Sequence, residues 1–263
     1  MKNEEKLDDG PRAGSIRTSP VMSMLRDTAG IEAFVCDDRA MNKYQETTDQ
    51  TGKKVAFLTT ADLLGIMRAM EVIDDDKVDA AREKLRRSGV AMMPVDPDEF
   101  RRYVRDSDWR VGPNAELRAV RDSIHLPFAR KIVQIPQERV WVRGICLAIS
   151  FAIRGAWADI EDDAQAEAAA IWLLDLMPDI DALSESDPSP DRQAWISEVT
   201  RMSTWAMAAI FELSGDRVEQ YRTWFANRVQ AAVERRDPGA FGAVGNFLFA
   251  SLASPLDPDE HDD

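Results

Sequence analysis

The chain has 263 residues and a formal charge of −14, from 33 Lys and Arg against 47 Asp and Glu. That length can bury one large core or two ordinary ones. The acidity excludes long-range attraction to phosphate backbones, so nucleic-acid binding would need a local basic patch or bound cations.

Residues 1–20 are polar and carry Gly10, Pro11, Gly14 and Pro20, a composition expected to be disordered. Their charged start lacks the apolar core of a signal peptide, and the expected compartment is the cytoplasm. MSMLRDTAG predicts a short helix ending near Gly30, and AFVC, from Ala33 to Cys36, predicts a strand. RAMNKYQETTDQTGK reads as helix or loop, leading into a second strand, KVAFLTT. A crossover of that length lets the two strands pair in parallel. Thr59, Thr60 and Asp62 mark a helix start, and TADLLGIMRAMEV places Leu63, Leu64, Met67 and Met70 on one face. DDDKVDAAREKLRRSG predicts a charged helix stopped by Gly89. AMMPV predicts a short third strand that Pro94 confines to an edge, and DPDEFRRYVRDSD a further short helix.

From about residue 113 the pattern becomes purely helical, over approximately 114–131, 137–157, 163–183, 190–213, 216–235 and 239–252. Tryptophans recur there from Trp141 to Trp224, with Trp109 at the border, and at helical spacing they read as core. The longest apolar run, VWVRGICLAISFAIRGAWADI, contains Arg143 and Arg154. Each would cost about 2.5–3.5 kcal/mol at bilayer depth, so the run reads as a buried soluble helix and no membrane partner is expected. Cys36 and Cys146 lie in separate apolar runs, which fits reduced thiols better than a disulfide scaffold. The tail SPLDPDEHDD is acidic and expected to be unstructured. The expected fold is α-rich α/β: a parallel sheet of two or three strands with helices, then an all-α domain. The expected boundaries are 1–20 disordered, 21–110 α/β, 111–253 helical and 254–263 tail.

The chemistry concentrates where AFVC ends. Asp37 and Asp38 follow the strand, with Arg39 and Asn42 after them. The carboxyl end of a parallel strand is where open α/β sheets place ligands. Two adjacent carboxylates leave it on opposite sides, so one faces a metal and the other takes a cap or Arg39. Mg²⁺ or Mn²⁺ suits such a half-open donor set, and Thr59 and Thr60, ending the neighbouring strand, would supply hydroxyls beside it. On spacing alone a helix-capping aspartate with an exposed neighbour is the commoner outcome. His125 stands alone and reads as a helix-end histidine. The arginines between Arg86 and Arg130, interleaved with Asp and Glu, read as solvated ion pairs before they read as an RNA groove.

The succession FVCDDRAMNKY, VAFLTTADLLGIM and DDDKVDAAREKLRRSGVAMMPVD resembles the second half of a PIN-like nuclease domain. It is most similar to the divergent kind found in bacterial conflict-system proteins, beside tetratricopeptide repeats and a domain like the C-terminal part of transcript-cleavage factors. The resemblance covers residues 22–106. It implies a metal-dependent ribonuclease or an inactive remnant of one, in which Asp37 and Asp38 hold Mg²⁺ or Mn²⁺. Thr59 and Thr60 would then polarise a water or phosphate, while Arg39 and Asn42 orient the acids or the RNA. The family's first strand and its acid have no counterpart before Ala33. Little or no nuclease activity is therefore expected of this chain. An apolar edge is also expected on AFVC, to be covered by the later helices, by another protein chain or by polypeptide upstream of Met1. The alternative is a non-enzymatic interaction or scaffold protein, docking a partner through that edge and the Trp-rich helices.

Overall fold

The computed structural model describes residues 30–37, 46–48, 52–129, 136–178, 190–209, 213–236 and 242. The expected disordered start, the helix before Gly30, the last helix apart from Gly242, and the acidic tail lie outside the described residues. The fold is α-rich α/β, a small sheet with many helices. It forms two compact units, residues 1–66 and 67–263, divided between Ile66 and Met67.

The first unit holds a three-stranded sheet in the order β1 (Ala33–Val35), β3 (Lys54–Leu58), β2 (Glu46–Thr48). β1 pairs with β3 in parallel, Phe34 opposite Phe57, as the two apolar runs predict. Those two rings stack at 5.8 Å between centroids. β2 corrects the expectation of helix or loop: Glu46–Thr48 pairs antiparallel with β3, opposite Lys54–Ala56. Thr47 and Thr48 are β-branched and suit a pleated edge, and Gly52, at φ +86°, provides a left-handed backbone position in the connection to β3. Lys54 pairs with Glu46 across the two strands at 2.5 Å. Val55 is fully buried, whereas the helix that follows, α1 (Thr60–Ala69), buries none of its side chains completely.

The second unit is helical: α2 (Asp75–Arg87), α3 (Pro97–Arg105), α4 (Ala115–Ala129), α5 (Pro136–Asp159), α6 (Asp163–Leu176), α7 (Pro190–Ala208) and α8 (Asp216–Phe225). A π-helical turn, Ala226–Gln230, joins α8 to α9 (Ala231–Arg236). AMMPV does not form the expected third strand. Met92 sits at φ 57°, and the amides of Met92 and Met93 donate to the carbonyl and hydroxyl of Ser123 on α4, at 3.3 Å each. The segment thus spends its donors on a helix. α3 begins with a capping box, Asp96 with Glu99, and its Phe100, Tyr103 and Val104 enter one core with residues of α4 to α9. That core runs continuously across the boundary expected near residue 110.

α5 is the centre of this unit. Ala148, Ile149, Ala152 and Ile153 are fully buried, so the helix is enclosed around much of its circumference. α3, α6 and α7 pack on it. Arg143 pairs with Glu198 at 3.3 Å, and Arg154 lies over the Phe151 ring. Trp109, Trp157 and Trp224 are buried in the core and Trp141 and Trp172 pack against it, which fits the packing role expected of the tryptophans. Gly155 lets Arg101 of α3 lie across α5: a Cβ there would stand 3.0 Å from Arg101 Cγ. Arg101 then grips Asp159 with two hydrogen bonds, 2.5 and 2.6 Å.

Candidate functional site

The strongest convergence of predicted site residues lies where β1 and β3 end together and α1 begins. Thr59 and Asp62 form the reciprocal cap that their spacing predicts. The Asp62 amide donates to Thr59 Oγ1 at 3.0 Å, while the Thr59 amide and hydroxyl both donate to Asp62 Oδ2 at 2.8 Å. Asp37, brought alongside by the parallel pairing, meets the next residue. Thr60 donates its amide to Asp37 Oδ1 at 2.8 Å and its hydroxyl to Oδ2 at 2.6 Å. Asp37 thereby satisfies an amide of the first turn that has no partner inside the helix, and it places negative charge at the positive end of α1. Both Asp37 and Asp62 are exposed.

So Asp37, Thr59, Thr60 and Asp62 come together, as the strand and helix signals predict. Asp38, Arg39 and Asn42 lie outside the described residues. The arrangement caps a helix well. Each Asp37 oxygen already accepts from Thr60, the Thr59 hydroxyl donates to Asp62, and among the described residues no three His, Cys, Asp or Glu side chains gather as a metal site. One bond to each Asp37 oxygen leaves each a second lone pair, and Mg²⁺ sites draw on one or two such carboxylates together with waters.

No family model, curated protein or solved structure matches this chain.

Of the arginines read between Arg86 and Arg130, Arg130 lies outside the described residues and the following have partners within the helical unit. Arg86 is buried and bonds Glu99, the Pro94 carbonyl and Tyr103 Oη. Arg87 pairs with Glu116, Arg101 with Asp159, Arg102 with Asp79, Arg105 with Asp106 and Arg121 with Asp122. The Tyr103 hydroxyl lies 2.5 Å from Glu83 and 2.8 Å from Glu99, with one proton to donate between them, and burial first, then those two acids, raise its phenol well above the ordinary range. His125 is exposed on α4.

One depression escaped the sequence reading: an open hollow of about 530 Å³ after α1, lined by Arg68, Glu71, Val72, Ile73, Asp75 and Lys77 among others. Its charges neutralise one another, Arg68 with Asp75 at 2.5 Å and Lys77 with Asp74 at 2.8 Å. The Lys77 side chain and amide hold Asp74 below the usual carboxylate range, and Asp74 holds Lys77 above its own. Glu71 adopts φ 57°, the left-handed conformation that closes many helices. The DDDK run was the available signal, and it announces a helix cap, Asp74 accepting from Lys77, more than a ligand.

Proposed function

We propose that this protein is a non-enzymatic interaction protein, in which a stable helical body carries a small sheet module that docks a partner through its free strand edge. The observation that carries this reading is the edge itself. Among the described residues β1 pairs with β3 on one side only, and its terminal Val35 is 47% exposed. An apolar strand with unpaired backbone groups is a template for strand addition. The acid–threonine corner fits the same reading as a helix cap, since Asp37 gives both oxygens to Thr60.

A second reading keeps the resemblance to PIN-like nucleases: a Mg²⁺- or Mn²⁺-dependent ribonuclease, or its remnant, serving a bacterial conflict or stress system in the cytoplasm. It is favoured by the position of Asp37 at the carboxyl ends of a parallel pair, facing a helix N-terminus. One assay separates the two. The full chain is incubated with Mn²⁺ and a fluorogenic single-stranded RNA, beside Asp37→Asn. No cleavage above buffer is expected. Mn²⁺-dependent cleavage that vanishes in Asp37→Asn would replace the interaction reading with the nuclease one.

A further inference from the structure

The register of the sheet identifies which atoms of β1 face outward. Phe34 lies opposite Phe57, and the Cys36 amide donates to the Leu58 carbonyl at 2.8 Å. Backbone direction alternates along a strand, so Phe34 and Cys36 turn their N–H and C=O toward β3. Ala33 and Val35 therefore turn theirs away, toward the side on which no strand pairs among the described residues. Among the described residues the charges around this edge are unequal; Asp38 and Arg39, next in sequence, lie outside them. Glu32, exposed, precedes the strand; Asp37 follows it, and Asp62, reached through Thr59, lies at the same end. Against them stands Lys53, whose ammonium caps the Ile31 carbonyl at 3.3 Å. The bonds that Asp37 and Asp62 accept from threonines orient these carboxylates without neutralising them.

Resting on the interaction reading, we infer that the β1 edge takes an extended protein segment with β-branched residues at its centre and Lys or Arg at its ends. The partner's backbone pairs with Ala33 and Val35, an apolar side chain meets the exposed Val35, and the flanking cations meet Glu32 at one end and Asp37 with Asp62 at the other. A second copy of the chain is the poorer occupant. It would bring the same carboxylates to the same ends, and each molecule carries −14.

The test titrates the ¹⁵N-labelled full chain with two blocked peptides, Lys-Val-Thr-Val-Thr-Val-Lys and the same sequence with Glu at both ends. The Lys-ended peptide is expected to shift the Ala33 and Val35 amides and to bind about tenfold more tightly at low salt, an advantage that shrinks as salt screens the charges. Val35→Pro removes an outward N–H and leaves the bonds of Phe34 and Cys36 to β3 in place, so binding should be lost. Glu32→Lys, on the exposed surface, should narrow the preference between the peptides whether or not Val35→Pro folds. Equal affinity for both peptides, binding that survives Val35→Pro, or self-association that shifts the same amides would overturn the inference. Binding of neither peptide by a chain that also cleaves no RNA sinks this inference alone. Mn²⁺-dependent cleavage lost in Asp37→Asn sinks the reading beneath it.

Discussion

The thiol of Cys146 sits among the apolar side chains of α5 and α7, and burial alone pushes its pKa from 9.0 up to about 12. A folded value above the unfolded one means that folding favours the protonated thiol. Its contribution is complete below pH 9 and is lost as pH rises toward 12, by up to about 1.4 kcal/mol per pH unit. Cys146→Ala should therefore flatten the fall in denaturation free energy between pH 9 and 10 by about 1 kcal/mol, measured by urea titration at each pH. Tyr221, whose phenol burial also raises, contributes in the same direction at higher pH. An unchanged slope in Cys146→Ala would mean that the thiolate is solvated in the native state. Residue-level chemistry of this kind was half legible in the sequence. An apolar run around Cys146 announces burial, and T-T-x-D announces a cap. That Asp37 would spend both oxygens on Thr60 depends on the register of two strands distant in sequence, which no local pattern encodes.

At the scale of elements, the crossing of α3 over α5 depends on Gly155. Alanine stabilises a helix interior over glycine by about 1 kcal/mol, but here the added Cβ meets Arg101 at 3.0 Å. Gly155→Ala should give a loss of about 1 kcal/mol in the native background, because Arg101 must lift from Asp159. In an Arg101→Ala background the same change should give a gain of about 1 kcal/mol. Chemical denaturation of the four proteins reads the cycle, and the same sign in both backgrounds would show that Arg101 yields freely. Helices were the legible elements, because a 3.6-residue period over many turns leaves little ambiguity; the structure adds Asp74, Asp96 and Asp162 as the N-caps of three of them. The short strands were not. Three residues of β2 carry too little alternation to be told from a loop, and AMMPV has a strand's composition but satisfies its amides on Ser123.

The whole molecule divides its burial unevenly. In the first unit Val55 is fully buried and α1 buries no side chain completely, whereas the second unit has a continuous core reaching from Val95 to Val233. Amide hydrogen exchange should follow this division. β1 and β3 should exchange through local opening, with protection at least about tenfold below that of α5, whose slowest amides should report global unfolding. Equal protection in β3 and α5 would show one cooperative unit. The sequence announces a change of character near residue 113, but not that α3 belongs to the helical core, since amphipathic helices look alike whatever they cover. Within that core, buried Tyr221, Phe225, Val229 and Val233 recur at every fourth residue. In a pure α-helix each such step overshoots a full turn by about 40°, and three steps would carry the last residue about 120° off the stripe. The wider π turn at Ala226–Gln230 takes back most of that drift. The chain therefore keeps time with its core by length as well as by composition. Dropping one residue from that turn would leave eleven steps from Tyr221 to Val233, about 20° past three full turns, so a regular α-helix would then hold the same stripe without the wide turn.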